Sequence, residues 1–142
     1  MNLYITKELN QNDENTVNNL LMDYNYEYLP NDLKNNYEEI HVFLKDETGK
    51  VLGGILGEIY ANWLEIKTFM MEKKIRKLGY GSKLLLEIEQ IALEKKCDFI
   101  KVDTLSFQAL DFYRKHGYKE FGIIENAARD YKHYYLKKSL KG

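Results

Sequence analysis

The segment from Trp63 to Thr104 constrains the fold more than any other part of this chain. It holds two strand-like runs, "WLEIKTFMM" and "FIKVDT", on either side of one long run with helical spacing. The long run carries an apolar stripe of the width that a core-facing helix needs: Leu84, Leu85, Ile88, Ile91 and Ala92. A strand, a helix and a second strand in this order predict a βαβ crossover.

The remaining segments predict one mixed α/β domain around that crossover. We expect a first strand at Leu3–Ile5 and a helix over Thr16–Leu29 that ends at Pro30. A hairpin and a short polar helix or loop precede the crossover. The other predicted elements are strands at His41–Leu44, Val51–Tyr60, Tyr118–Ile124 and Tyr131–Leu136, and a helix over Gln108–His116. The order β-α-(α)-β-β-β-α-β-α-β-β gives about seven strands with a mostly antiparallel front.

Composition and charge exclude several classes of protein. The chain has 142 residues and a formal net charge of −1, which argues against non-specific nucleic-acid binding. It has neither an apolar run long enough to cross a bilayer nor a signal-peptide pattern at its start, so we expect a cytoplasmic protein without a membrane partner. We expect one domain over residues 1–142, with a frayed basic tail at 137–142.

The cysteine and the histidines argue against a metal site. Cys97 is the only cysteine, so no disulfide can form within the chain, and its setting "EKKCDFI" predicts a small core residue. His41, His116 and His133 lack the spacing of a metal site. We therefore predict that the protein binds no metal.

Two glycines at the mouth of the long helix, in "RKLGYGSKLL", predict a phosphate-binding loop. A Walker A loop does not fit, because Ser82 and Lys83 stand in reversed order after Gly81. A dinucleotide fingerprint does not fit either, because Leu84 takes the place of the third glycine. The pattern that fits is [QR]-x-x-G-x-[GA], with Arg76 as its first residue.

With this loop and a second motif, the sequence resembles the GNAT superfamily of N-acetyltransferases. The second motif lies in "SFQALDFYRKHGYKEFG" and matches A-x-x-[aromatic or Leu]-Tyr-x-x-x-Gly-[Phe/Tyr]. The order of elements also resembles that fold from Leu3 to Leu136. The resemblance implies a central, mostly antiparallel sheet with helices on both faces. It also implies acetyl-CoA as co-substrate, with the loop holding its pyrophosphate.

The resemblance also implies which residues bind acetyl-CoA. Backbone N–H groups of the loop would meet the pyrophosphate, and basic side chains would add positive charge. The strand before the loop would pair its backbone with the pantetheine arm, and one N–H there would polarise the thioester carbonyl. Ser106 stands where the family often has Asn. The predicted binding residues are Phe69, Met70, Met71, Arg76, Lys77, Leu78, Gly79, Tyr80, Gly81, Ser82, Lys83 and Ser106.

By the same resemblance, Tyr113 is the general acid that protonates the departing CoA thiolate. Tyr113 shares a helical face with Ala109, Phe112 and His116, so plain packing is its alternative role. Glu65 is the best-placed carboxylate for a base, and its alternative is a solvated strand residue paired with Lys67 or Lys101. Further candidates for the base are Glu58, His41 and Glu125.

The sequence therefore predicts an acetyl-CoA-dependent N-acetyltransferase, in which a primary amine attacks the thioester directly in a ternary complex. No obvious nucleophile suggests a covalent intermediate. Two alternatives stay open: a non-catalytic acyl-CoA-binding sensor or partner module, and a nucleotide-binding protein without CoA specificity. The acceptor amine, whether a small molecule or a peptide, cannot be read from the sequence, and neither can the oligomeric state, a homodimer included.

Overall fold

A computed structural model describes residues 1–141 and divides the chain into two units, Met1–Asn35 and a second unit that begins at Asn36. The first unit contains the helix α1, Gln11–Tyr28. It begins where the Asn10 side chain accepts a hydrogen bond from the Asp13 N–H at 3.0 Å. The helix is confirmed, but it starts five residues earlier than predicted, because Asn10 supplies its N-cap and the polar "QNDEN" segment forms its first turn.

The predicted first strand at Leu3–Ile5 is wrong. The structure assigns no strand to residues 1–10, and the side chains of Leu3, Tyr4 and Ile5 are more than four-fifths exposed. A strand forms only where another strand satisfies its backbone groups, and three apolar residues cannot specify such a partner. The described chain therefore contains six strands rather than about seven.

The second unit is one mixed sheet with two helices, and the predicted α/β class is confirmed. Its strands lie in the spatial order β1-β2-β3-β4-β6-β5. Their bounds are β1 Tyr37–Lys45, β2 Val51–Tyr60, β3 Trp63–Met71, β4 Phe99–Leu105, β5 Lys119–Ala127 and β6 Tyr131–Ser139. The helices are α2 Tyr80–Glu94 and α3 Leu110–Lys115, and a short 3₁₀ turn occupies Lys73–Ile75; a similar turn at Asn31–Leu33 belongs to the first unit.

The predicted crossover is present, since β3 and β4 are parallel and α2 connects them. All other neighbouring strands pair antiparallel, and β6 lies between β4 and β5. The parallel ladder is short. It runs only from Trp63 opposite Phe99 to Ile66 opposite Val102.

A β-bulge explains why that ladder stops. Leu56 of β2 lies opposite Thr68, but the next residue, Gly57, lies opposite Ile66, so Lys67 is the extra residue on β3. A bulge bends its strand and increases the local twist. The backbones come close here, because a Cβ on Gly57 would lie 2.7 Å from the Glu65 carbonyl oxygen. Beyond the bulge, β3 stays paired with β2 and leaves β4.

The core lies between the sheet and α2. Leu84, Leu85, Ile88 and Ala92 are buried as predicted, and Ile91 packs at the edge of the same cluster. The cluster joins them to apolar side chains of the sheet: Ile40, Ile55, Ile59, Leu64, Ile66, Ile100, Val102 and Leu136. Cys97 is buried with them, as predicted, and burial raises the pKa of its thiol.

The helix α3 lies on the same face of the sheet as α2. Tyr113 of α3 belongs to the core cluster, and His116 directly after α3 hydrogen bonds to Ser82 of α2. The prediction of helices on both faces also concerns α1 of the first unit and stays a prediction. None of the helices described for residues 1–141 is long and apolar enough to cross a membrane.

The last strand is longer than predicted. β6 continues past Leu136, with Lys137, Lys138 and Ser139 opposite residues of β4, and the Leu140 N–H donates to the Asp98 carbonyl oxygen at 2.8 Å. The expectation of a frayed tail from residue 137 is therefore wrong as far as Leu140, because a neighbouring strand satisfies this backbone. The end of that tail, Gly142, lies outside the described residues.

Candidate active site

The loop before α2 presents unpaired donors and positive charge. Gly79 caps the helix with φ +90°, and Lys77 also has positive φ. The first helical hydrogen bond runs from the Lys83 N–H to the Gly79 carbonyl at 3.3 Å, so the N–H groups from Tyr80 to Ser82 precede any helical acceptor. The first turn contains no acidic residue. Such a helix start fits an anion.

The two glycines of the loop have different tasks. A Cβ on Gly79 would meet nothing within 4 Å, so only its backbone conformation and the open space in front of it favour glycine. A Cβ on Gly81 would lie 3.2 Å from Met71 Cε and 3.5 Å from the Phe112 ring. Gly81 therefore lets α2 approach β3 and α3 closely, whereas Gly79 leaves room at the mouth of the helix.

Ser82 connects the loop to α3. Its Oγ lies 3.0 Å from His116 Nε2, and His116 Nδ1 lies 2.8 Å from the Phe112 carbonyl oxygen. Because a carbonyl can only accept, Nδ1 carries the hydrogen, and in the neutral ring Nε2 accepts from the Ser82 hydroxyl. The Ser82 hydroxyl thus donates to His116. The group of Ser82 that can still donate to an anion at the helix start is its backbone N–H.

Beyond the bulge, β3 and β4 are separated by a gap, in which β3 exposes backbone groups. The Arg76 Nε donates to the Met71 carbonyl oxygen at 2.9 Å. The N–H and C=O of a strand residue point to the same side, so the Met71 N–H also faces the gap. The Arg76 side chain therefore lies across the end of β3, next to Met70 Sδ at 3.5 Å, rather than in front of the loop.

Two cavities open along this gap. The larger has about 620 Å³, and residues found only in its lining include Lys67, Asp103 and Phe107. The smaller has about 490 Å³, and its own lining includes Met71, Lys77, Gly81 and Ser106. The two cavities share six lining residues: Phe69, Met70, Arg76, Gln108, Ala109 and Tyr113. They therefore meet at the end of β3 and the start of α3.

Tyr113 stands where the two cavities meet. Its residue is only 4% exposed, and its ring contacts the rings of Phe69, Phe112 and Tyr118. Within residues 1–141 its hydroxyl forms no hydrogen bond. Every fully buried side-chain oxygen there has a hydrogen-bond partner, so the Tyr113 oxygen is not fully buried and reaches the cavity surface. Burial, and secondly the charge of Asp103, raise the pKa of the phenol. The group therefore keeps its proton at neutral pH.

The carboxylates proposed as a base lie elsewhere. Glu65 lies between Lys101 at 3.5 Å and Lys67 at 3.9 Å, and neither cavity has it in its lining. The other candidates, Glu58, His41 and Glu125, are also absent from both linings. The structure therefore brings together Tyr113, the end of β3 and the loop, but not Glu65.

The remaining residues predicted to bind acetyl-CoA lie around the loop, and their side chains have other contacts or face solvent. Lys83 Nζ lies 5.2 Å from the centre of the Tyr80 ring, and Leu78 is exposed. Ser106 lines the smaller cavity, and its Oγ accepts a hydrogen bond from the Lys132 N–H at 3.0 Å, which leaves its O–H as a donor. Residues 1–141 contain no group of three or more His, Cys, Asp or Glu placed to hold a metal.

Sequence reasoning missed Asp103 and His133, which form a hydrogen-bonded pair. His133 Nε2 lies 2.9 Å from Asp103 Oδ1, although the two residues are 30 positions apart. Strand alternation could have placed Asp103 on the same face as Lys101 and Glu65. Only the insertion of β6 beside β4 brings His133 there, and no local pattern signals it.

Comparisons with known proteins agree on one family. The sequence profile of the acetyltransferase (GNAT) family matches residues 5–118. A crystal structure of an acetyltransferase from Bacillus cereus ATCC 14579 is 36% identical and has a TM-score of 0.88, over 96% of this chain and 98% of that chain. "Acetyltransferase Atu2258" of Agrobacterium fabrum strain C58 is 23% identical over 87% of this chain and 88% of its own length.

A third relative was solved with a ligand. This Bacillus anthracis strain Ames protein, described as a candidate streptothricin acetyltransferase, was crystallised in complex with acetyl coenzyme A. It is 23% identical, with a TM-score of 0.65 over 78% of this chain and 68% of that chain. At this identity the likeness shows a shared fold.

Proposed function

Because the chain belongs to the acetyltransferase (GNAT) family and is an acyltransferase, we propose that it transfers an acetyl group from acetyl-CoA to an amine in a ternary complex. The observation that carries this proposal is the meeting of two cavities at Tyr113 and the end of β3. One cavity adjoins the anion-binding loop, and the other adjoins Asp103 and Phe107. Two reactants can therefore reach one point from two sides.

The smaller cavity and the loop have the properties that acetyl-CoA requires. The open space at Gly79, the unpaired N–H groups from Tyr80 to Ser82 and the positive charge of Lys77 suit a pyrophosphate. The free edge of β3 at Phe69–Met71 offers backbone groups to an amide-containing arm. The acetyl coenzyme A in the B. anthracis relative supports this assignment.

When bound, acetyl-CoA supplies a thioester whose carbonyl carbon accepts the amine nitrogen. The Met71 N–H, which faces the gap, would donate to the carbonyl oxygen as negative charge develops there. The Tyr113 hydroxyl would give its proton to the sulfur as the C–S bond breaks. Water at the cavity mouth then restores the phenol, whose raised pKa favours that return.

Release of free CoA thiol tests this proposal. Purified protein is incubated with acetyl-CoA and a panel of primary amines, and we expect thiol release that depends on the amine and yields the acetylated product. A non-catalytic acyl-CoA sensor would instead gain thermal stability with CoA and acetyl-CoA but release no thiol. A nucleotide-binding protein would be stabilised by ATP and not by CoA. A ligand at a hundredfold its Kd adds about 2.7 kcal/mol, which moves the melting midpoint by several degrees.

A further inference from the structure

Asp103 places a carboxylate in the larger cavity, across Tyr113 from the loop. It follows Val102, the last residue of β4 that pairs with β3, so its side chain lies where the gap begins. Asp103 lines only the larger cavity, whereas Lys77 and Gly81 line only the smaller one. Tyr113 lines the same cavity, and the charge of Asp103 contributes to its raised pKa. This carboxylate therefore lies beside the reaction centre and away from the anion-binding loop.

His133 holds that carboxylate in place. Its Nε2 lies 2.9 Å from Asp103 Oδ1, and its Nδ1 lies 3.3 Å from the hydroxyl of Tyr135, which is opposite Asp103 in the β4–β6 ladder. A neutral ring that donates through Nε2 to the carboxylate accepts the tyrosine hydroxyl at Nδ1. The other oxygen, Oδ2, forms no hydrogen bond within residues 1–141 and remains for a ligand in the cavity.

Two cations, Lys67 and Arg76, also line this cavity, and neither forms an ion pair with Asp103. Lys67 forms ion pairs with Glu58 at 3.7 Å and with Glu65 at 3.9 Å. The Arg76 Nε donates to the backbone at the end of β3. Asp103 therefore keeps a negative charge that no lysine or arginine of the described chain pairs with at salt-bridge distance. Such a charge attracts a ligand that carries N–H donors and positive charge.

An aromatic wall stands beside the carboxylate. Phe107 lines the larger cavity and is 58% exposed. Its ring packs edge-on against Tyr131, with the ring centres 4.8 Å apart. An exposed phenyl ring offers both apolar contact to a ligand body and attraction to a cation. The larger cavity is thus lined by a carboxylate, that of Asp103, and by the exposed ring of Phe107.

We propose that Asp103, oriented by His133, binds the acceptor amine and takes the proton that its nitrogen loses, and that Phe107 selects acceptors with an apolar or aromatic body. The inference rests on the proposed function. The ammonium first gives one proton to water, and the neutral nitrogen then attacks the acyl carbon. As the N–C bond forms, the nitrogen becomes positively charged and acidic, and its proton moves to Asp103 Oδ2. The C–S bond breaks, the sulfur takes the proton of Tyr113, and water exchanges protons with both side chains.

Acceptor binding can be measured without turnover, in protein saturated with CoA. The probes are phenethylamine, its neutral analogue phenethyl alcohol and its anionic analogue 3-phenylpropionate, titrated by calorimetry into wild type, Asp103→Asn and Glu87→Gln. Glu87 is an exposed carboxylate of α2 and serves as the control. We expect Asp103→Asn to raise the Kd of phenethylamine at least tenfold, with CoA and alcohol binding unchanged. Glu87→Gln should bind all probes as wild type does.

Three results would overturn the assignment: equal phenethylamine binding by wild type and Asp103→Asn, no preference of wild type for the amine over the alcohol, or a preference for the carboxylate. Should Asp103→Asn fail to fold, His133→Gln tests the same point and should raise the amine Kd about threefold, with equal Kd values counting against it. The CoA titration is separate, so wild type that binds no CoA would refute the proposed function instead.

Discussion

At the scale of single residues, Tyr113 shows how burial sets the protonation state of a side chain. Its ring is held by three aromatic neighbours, and only its hydroxyl reaches the cavities. The raised pKa keeps the phenol protonated at neutral pH, so its proton is available to a leaving group. The sequence left two roles open for Tyr113, general acid and core residue. The structure shows why, because its ring packs in the core while its hydroxyl reaches the cavities.

We expect Tyr113→Phe to lower kcat about a hundredfold or more, because a general acid contributes roughly 10²–10⁴ to a rate. The Kd of acetyl-CoA should not change, since the ring contacts remain. Tyr118→Phe is the matched control: the Tyr118 hydroxyl donates to Glu89 at 2.8 Å in the core, so its loss should lower stability and leave kcat unchanged. Steady-state kinetics and urea unfolding of both variants decide, and an unchanged kcat in Tyr113→Phe would remove the acid role.

The sequence predicted Tyr113 as the acid and Glu65 as a possible base, and of these two only Tyr113 lines the cavities. Tyr113 and the loop belong to contiguous motifs, so local pattern was sufficient to find them. Glu65 lies on the strand before the loop, but it pairs with two lysines and lines neither cavity. Asp103 needs a partner that β6 brings from far along the chain, and such a pair leaves no trace in local spacing.

At the scale of elements, the junction of β3, the loop and α2 determines the site. A bulge at Lys67 turns β3 away from β4, and a glycine with positive φ starts α2. The pattern of apolar residues predicted β3 but not its bulge. A bulge depends on how closely two backbones approach each other, and here the close approach is at Gly57. The residues of the strand alone therefore do not predict the gap.

Gly79→Ala should weaken CoA binding more than it destabilises the fold. Gly79 and Gly49 have nearly equal φ, +90° and +88°, and a Cβ on either would meet nothing within 4 Å. Alanine at each should therefore cost about 1–2 kcal/mol of folding free energy from backbone strain. Only Gly79→Ala places a methyl group at the helix mouth, so we expect at least a tenfold rise in the Kd of CoA for that variant alone. Equal CoA affinity in both variants would contradict the assigned loop.

A buried ion pair connects α2 to β6. Glu89 accepts hydrogen bonds from the Tyr118 hydroxyl at 2.8 Å and from Lys138 Nζ at 3.1 Å, and the Glu89 side chain is 7% exposed. Sequence reasoning missed it, because Glu89 adjoins the apolar stripe of α2 and was given no partner. A buried charge of this kind depends on its partner for compensation.

Lys138→Met should be more destabilising than Glu89→Gln. Loss of the lysine leaves the Glu89 carboxylate buried with one neutral donor, which should cost about 3 kcal/mol. Glu89→Gln keeps an acceptor for Tyr118, and the Lys138 side chain, already 29% exposed, can move into water. Urea unfolding at neutral pH measures both, and an equal loss in the two variants would show that the pair is not stabilised in this way.

At the scale of the whole molecule, the order of elements followed from the sequence. The spacing of apolar residues within an element and the turn residues between elements are both local features. The crossover, the hairpin and both helices of the second unit were found in this way. Two errors lie at the ends of the chain: Leu3–Ile5 finds no partner strand, and β6 extends beyond Leu136 because β4 pairs with it. Both errors concern pairing between distant segments, which local sequence does not report.

The central claim is that donor and acceptor occupy two joined cavities at once, and initial-velocity kinetics test it most directly. Rates of CoA thiol release are measured while acetyl-CoA and an accepted primary amine are both varied. Attack within a ternary complex predicts double-reciprocal lines that intersect. Parallel lines would indicate that an acetylated enzyme forms before the amine binds, and they would contradict the account.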